Sequence, residues 1–117
     1  MSPAAEELVR RHVAAVNAGD VEGVLSTLAP DAVWTTGQDR FVGASEIRPF
    51  FADALPAVRP DLEIEHLASA DDVVMVELIE RLVHDGVRRT FPIVAVFEIR
   101  GDWITDARIY REGSAAL

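Results

Sequence analysis

The chain contains no cysteine and no lysine. Without cysteine there is no disulfide framework, no thiolate nucleophile and no zinc–thiolate centre. Without lysine there is no Schiff-base chemistry on a lysine side chain. Positive charge is scarce: 11 basic side chains, all arginine, stand against 20 acidic ones, for a net charge of −9. Such a surface repels polyanions, which argues against nucleic acid and anionic membrane as partners. No apolar run approaches the roughly 20 residues of a membrane span. The opening Met-Ser-Pro-Ala-Ala-Glu-Glu lacks the basic and apolar regions of a signal peptide, so the cytoplasm is the expected location. There is no internal repeat, low-complexity tract or glycine-rich phosphate loop. The three histidines are too scattered for a metal-ligand pattern, and nothing in the sequence requires a cofactor.

What is present is an ordinary globular composition, 50% hydrophobic and 26% charged over 117 residues. That length predicts one domain over 1–117, built on a single core. Ser2 can cap a first helix with Pro3 at its first position. Ala5, Leu8, Val9, His12, Val13 and Val16 then fall on one helical face, while Glu6, Glu7, Arg10, Arg11 and Asn17 fall on the other. Gly19 ends this helix and Asp20 caps a second, which carries Val21, Val24, Leu25 and Leu28 and is expected to stop at Pro30. A short strand from Asp31 to Thr36 and a loop through Gly43 follow. Ser45 is the expected cap of a third helix with inner residues Ile47, Phe50, Phe51, Ala54 and Leu55, ending at Pro56.

The remainder alternates as strand: Leu62 to Ala68, Val73 to His84, Val87 to Arg100, and Trp103 to Arg111. Asp85-Gly86 is a strong hairpin signal, and Gly101-Asp102 makes the last turn. Pro92 inside a strand implies a bulge or an edge position. Three N-terminal helices followed by a long, mostly antiparallel meander predict an α+β fold. The expected form is a curved sheet closed by the helices around one apolar pocket.

The hairpin turn predicts a register. With Asp85 and Gly86 as the turn residues, His84 faces Val87, Leu82 faces Arg89, Glu80 faces Phe91, Leu78 faces Ile93 and Val76 faces Ala95. Opposed residues share a face, so Val74, Val76, Leu78, Glu80, Leu82, Phe91, Ile93, Ala95 and Phe97 form the core face. Glu80 is the odd member. A carboxylate among apolar groups is costly unless paired or protonated. Desolvation would raise its pKa toward neutrality, as suits a general acid or base. The competing reading is a structural ion pair to Arg81 or Arg89. With no full partner, replacing Glu80 by Gln or Leu should hold or raise the melting temperature; with a buried partner, it should lower it. His12, on the buried stripe of the first helix, is either a satisfied core residue or a second catalytic group. Trp34 and Thr36 share a face of the first strand, as pocket wall and hydrogen-bond donor. His66 and His84 are expected in solvent. The outward face keeps Val73, Met75, Ile79, Val83, Val94 and Val96, too apolar for free solvent, and predicts a homodimer through the sheet.

Three segments carry a resemblance: Val9-Arg-Arg-His-Val-Ala-Ala-Val-Asn-Ala-Gly-Asp20, Leu28-Ala-Pro-Asp-Ala-Val-Trp34 and Phe41-Val-Gly-Ala-Ser-Glu-Ile47. The ending, Ala95-Val-Phe-Glu-Ile-Arg-Gly-Asp-Trp-Ile-Thr-Asp-Ala-Arg-Ile-Tyr110, carries it too. These resemble the SnoaL-like branch of the nuclear transport factor 2-like superfamily. The resemblance implies a cone-shaped α+β barrel, a bent sheet wrapped on helices with a deep pocket, and commonly a dimer through the sheet. Members include ketosteroid isomerases, limonene-epoxide hydrolases and polyketide cyclases.

Residue by residue, His12, Thr36 and Ala95 fall where ketosteroid isomerases place an oxyanion-hole tyrosine, an aspartate base and a protonated aspartate. The isomerase set is therefore absent. Against the limonene-type hydrolases, Trp34 and Thr36 match a tyrosine and an asparagine that hold the water, and Glu80 matches one catalytic aspartate. Leu78 replaces the arginine and Ile109 the second aspartate. A shifted alignment instead matches Arg81 to the arginine and Val83 to the first aspartate. Either way that trio is incomplete. The resemblance implies an acid/base enzyme of isomerase, cyclase or epoxide-hydrolase type acting on a small apolar molecule. Glu80 and His12 would be its catalytic groups, with Trp34, Thr36, Phe51, Leu78, Phe91, Ile93, Ala95 and Ile109 around the substrate. The alternative is a non-catalytic ligand-binding or protein-interaction domain on the same fold.

Overall fold

A computed structural model describes residues 3–111; the proposed cap Ser2 lies outside them. Helix α1 spans Pro3–Asn17 and buries Ala5, Leu8, Val9, His12, Val13 and Val16, the stripe read from the sequence. Gly19, at φ 68°, turns the chain into α2, Val21–Leu25, which Asp20 caps by accepting the Gly23 N–H at 2.9 Å. Pro30 does not stop this helix. It sits in strand β1, Leu28–Thr36, which begins three residues before the expected Asp31. The ladder to the neighbouring strand is interrupted between Leu28 and Val33. In that gap a residue without an N–H costs little.

The segment read as a loop contains a short edge strand, β2, Asp39–Val42, paired antiparallel with β1. Four residues, only Phe41 and Val42 apolar, are too few to show a period. Helix α3 spans Ala44–Val58 and buries Ile47, Phe51 and Leu55. Its N-cap is Gly43, not Ser45, and Glu46 reaches back to accept the Val42 N–H at 2.8 Å. Pro56 does not end it. The following turn still closes through Arg59 N–H to Leu55 C=O at 3.0 Å, and the helix stops where Arg59 turns left-handed at φ 47°.

Strands β3 (Asp61–Ala70), β4 (Val73–His84), β5 (Val87–Arg100) and β6 (Trp103–Arg111) form the antiparallel meander. Strand β1 joins β6 in parallel, giving a six-stranded mixed sheet in the order β2-β1-β6-β5-β4-β3. The sheet curves around the helices but does not close: β2 and β3 are its free edges. The expected barrel is thus an open cone. Asn17, at the end of α1, exchanges two hydrogen bonds with the Leu62 backbone of edge strand β3, at 2.9 and 2.7 Å.

The β4–β5 register is the one counted from Asp85-Gly86, including Glu80 opposite Phe91 and Leu82 opposite Arg89. Pro92 pairs with Ile79, while the β5–β6 ladder starts only at Ile93–Arg111. At Pro92 the strand therefore borders one neighbour among the described residues, a local edge. The concave face and the helices enclose one core containing Leu8, Val9, Trp34, Phe51, Val76, Leu78 and Phe97. On the convex face Met75, Val94 and Tyr110 are 47, 39 and 54% exposed. Arg108 there holds Glu98 and Asp106. No helix among the described residues is long and apolar enough to cross a membrane.

Candidate functional site

Between α1, α3 and the concave face lies a cavity of about 280 Å³. That is small for a ligand pocket, near the lower end of the usual range. Its wall includes His12, Trp34, Thr36, Phe51, Leu78, Glu80, Ile93, Ala95 and Ile109, all expected at a pocket from the sequence. Phe91 is not part of that wall. It is half-buried opposite Glu80, on the same face but toward the rim. Phe50, Ala54 and Leu55 of α3, Val13 and Val16 of α1, and Leu82 and Phe97 of the sheet add to the apolar lining, which also reaches Val58, Pro60 and Leu62.

Two polar features interrupt this lining. The first is Glu80, whose side chain is 7% exposed and is not alone. Arg111, the last described residue of β6, donates from Nε to Oε1 at 2.7 Å and from Nη2 to Oε2 at 3.0 Å. Its third nitrogen, Nη1, donates to the Thr36 hydroxyl. Glu80, Arg111 and Thr36 thus form one network across three strands. This corrects the expectation of a carboxylate with no full partner, and it also corrects the named alternatives. Arg89 is exposed at the rim, and Arg81 points away to Asp61 and Glu63. The guanidinium beside Glu80 comes from β6.

The second feature is His12, fully buried between Trp34 and Phe97, with ring centroids 5.3 and 5.4 Å away. Its Nδ1 lies 2.9 Å from Thr27 Oγ1. That hydroxyl spends its single proton on Val24 C=O at 2.6 Å, so it accepts from His12 and the ring carries its proton on Nδ1. Nε2 is then an acceptor, and His12 lines the cavity. Burial lowers its pKa from 6.5 to about 4, because a charged ring there would lose its hydration. His66 and His84 lie in solvent, beside Glu77 and Asp85.

The buried ring has a stability consequence with a definite sign. Between pH 6.5 and about 4 the unfolded chain holds a proton on His12 that the folded chain refuses. Stability therefore falls as pH drops through this window, by at most roughly 1.4 kcal/mol per pH unit and about 3 kcal/mol in all. In His12→Asn, the amide can still donate to Thr27 but cannot titrate. Urea unfolding from pH 7 to 4 should show a shallower loss in this variant than in the wild type. Parallel pH profiles would mean that His12 titrates normally.

The geometry has relatives. Residues 9–107 match the model of the SnoaL-like domain family. No curated protein sequence matches the chain. Solved structures do. An LEH-like epoxide hydrolase from M. tuberculosis superposes with a TM-score of 0.85 at 23% identity, over 93% of this chain and 83% of that one. A putative polyketide cyclase from Xanthomonas campestris pv. campestris gives 0.84 at 24% identity, over 92% and 89%. A protein with a ketosteroid isomerase-like fold from Catenulispora acidiphila DSM 44928, in complex with trimethylamine, gives 0.83 at 19% identity, over 94% and 86%. At these identities the likeness speaks for the fold alone. The family match covers most of the chain, and the helices and open cone agree with it: the chain belongs to the SnoaL-like family of the nuclear transport factor 2-like superfamily.

Proposed function

We propose that the cavity is the site of an acid/base enzyme acting on a small, largely apolar molecule, with Glu80 as the general base. The observation that carries this reading is the Glu80–Arg111–Thr36 network, set into a wall otherwise mostly apolar. Each carboxylate oxygen accepts one N–H from Arg111 and keeps a further lone-pair direction. The pair thus fixes the carboxylate without exhausting it. Thr36 accepts from Arg111, so its own O–H can donate to an oxygen on which charge develops. Glu80 would take a proton from a carbon beside a carbonyl, or from a water attacking an epoxide. Exclusion of bulk water strengthens both interactions. His12 Nε2 offers a second acceptor deeper in the cavity.

One observation favours a second reading. A buried carboxylate with both oxygens engaged by one guanidinium also serves as a structural pair around a binding pocket, with no chemistry. A panel of small apolar ketones and epoxides, incubated in D₂O and in H₂¹⁸O, separates the two. Deuterium exchange or ¹⁸O incorporation that is lost in the cavity-filling variant Ala95→Phe supports the enzyme. Saturable binding of the same compounds without any exchange or turnover would establish the binding protein instead.

A further inference from the structure

The scarce cations of this acidic chain are unevenly placed. Arg59, Arg81, Arg88 and Arg89 line one depression near the turn end of the β4–β5 hairpin, with Asp61 as the acidic residue in its lining. Four arginines less one aspartate leave a local charge of +3 on a chain whose net charge is −9. Arg81 is engaged by Asp61 and Glu63. Arg59, Arg88 and Arg89 are exposed, with no ion-pair partner among the described residues.

The depression adjoins the cavity at this end of the sheet, although Arg81, Val83, Arg88 and Thr90 of its lining lie on the outward face of the hairpin. Leu82 belongs to both. Arg59 lies between Val58 and Pro60, which line the cavity. Arg89 is paired with Leu82, on the same concave face as Glu80 and Phe91 and next beyond them toward the rim. Arg59 and Arg89 therefore stand beside residues of the cavity wall, Arg59 in sequence and Arg89 across the ladder, and their planar donor forks suit carboxylate and phosphate oxygens. At the inner end an anion would meet the Glu80 carboxylate.

We propose that the ligand is an amphipathic anion, with an apolar body in the cavity and a carboxylate or phosphate group at the rim held by Arg59 and Arg89. Arg88 adds to the attractive field. The inference rests on the cavity being the ligand site, and it narrows the substrate class from apolar to apolar with one anionic end.

Four probes test it by calorimetric titration: decanol, decanoate, decyl phosphate and inorganic phosphate. In wild-type protein at low salt, at least one anionic amphiphile should bind roughly tenfold or more tightly than decanol. That preference should shrink in about 0.5 M salt, because exposed charges are screened over a few ångströms. In the double variant Arg59→Gln/Arg89→Gln, the ratio of anionic to neutral affinity should fall toward one. Inorganic phosphate should compete with decyl phosphate and not with decanol. A preference for decanoate alone or for decyl phosphate alone would identify the anionic group and support the proposal equally. If decanol binds and the anionic end adds nothing, or if the double variant keeps the wild-type ratio, the rim site is wrong while the cavity reading stands. If neither decanol nor the anions bind, both fail together.

Discussion

Glu80→Gln is expected to lower kcat on a converted substrate by a factor of about 10²–10⁴, the range that a positioned general base contributes. Glutamine keeps the length and planarity of the side chain but cannot take up a proton. The substitution is not silent for stability. Its amide offers one oxygen to Arg111 and turns an NH₂ group toward the remaining guanidinium N–H, donor against donor, where Oε1 and Oε2 now accept at 2.7 and 3.0 Å. Turnover is therefore compared per folded molecule, well below either thermal transition. Retention of more than about a tenth of wild-type kcat would remove Glu80 from the chemistry, since a general base cannot be lost so cheaply.

Arg111→Met is expected to destabilise the fold by roughly 4 kcal/mol, and Glu80→Leu by about 2 kcal/mol. The asymmetry comes from what each substitution leaves behind. Without Arg111, a carboxylate whose side chain is only 7% exposed has lost its cation. Without Glu80, a guanidinium that is 30% exposed keeps Thr36 and can turn toward water. The double variant Glu80→Leu/Arg111→Met replaces the pair by apolar groups of similar size. It should recover most of the loss, because a buried pair exchanged whole is often nearly neutral. Urea denaturation of the four proteins gives the coupling directly. A loss below about 1 kcal/mol for Arg111→Met would mean that solvent shields the pair as at a surface. Both single variants should lower the melting temperature, the opposite of what an unpartnered Glu80 would give.

The two hairpins show why Glu80 was legible and its partner was not. From Asp85-Gly86, every pair of β4 and β5 can be counted, because the ladder runs without a break from His84–Val87 to Val73–Glu98. Glu80 must then lie on the face of Val76 and Leu78. The same count from Gly101-Asp102 fails. It holds for Arg100–Trp103 and Ile99–Ile104, but Glu98 then pairs with Asp106, and Thr105 is left over as a bulge. Without that extra residue, Asp106, Arg108 and Tyr110 would point inward and Arg111 outward. With it, Ala107, Ile109 and Arg111 face the core, since one residue of slip reverses every side chain. No local signal near Thr105 announces the bulge. Its hydroxyl finds the Glu98 carbonyl at 3.2 Å only once the strands are paired.

The sequence by itself determined the α1 stripe with His12 on it, the Asp20 cap, the four strands of the meander and the inward direction of Glu80. These follow from period, capping chemistry and a two-residue turn, which act within a few residues along the chain. Fold and family were legible for the same reason, being the sum of such local patterns. Only the tertiary structure decided what surrounds the two buried polar groups. Thr27, fifteen residues from His12, sets the tautomer of the ring by accepting from Nδ1. Arg111, thirty-one residues from Glu80, completes its pair. Arg59 and Arg89 share one depression because the end of α3 lies beside the turn end of the β4–β5 hairpin. Partners such as these meet through sheet curvature and a bulge, which no period in the chain encodes. A buried charge takes its chemistry from its neighbours in space.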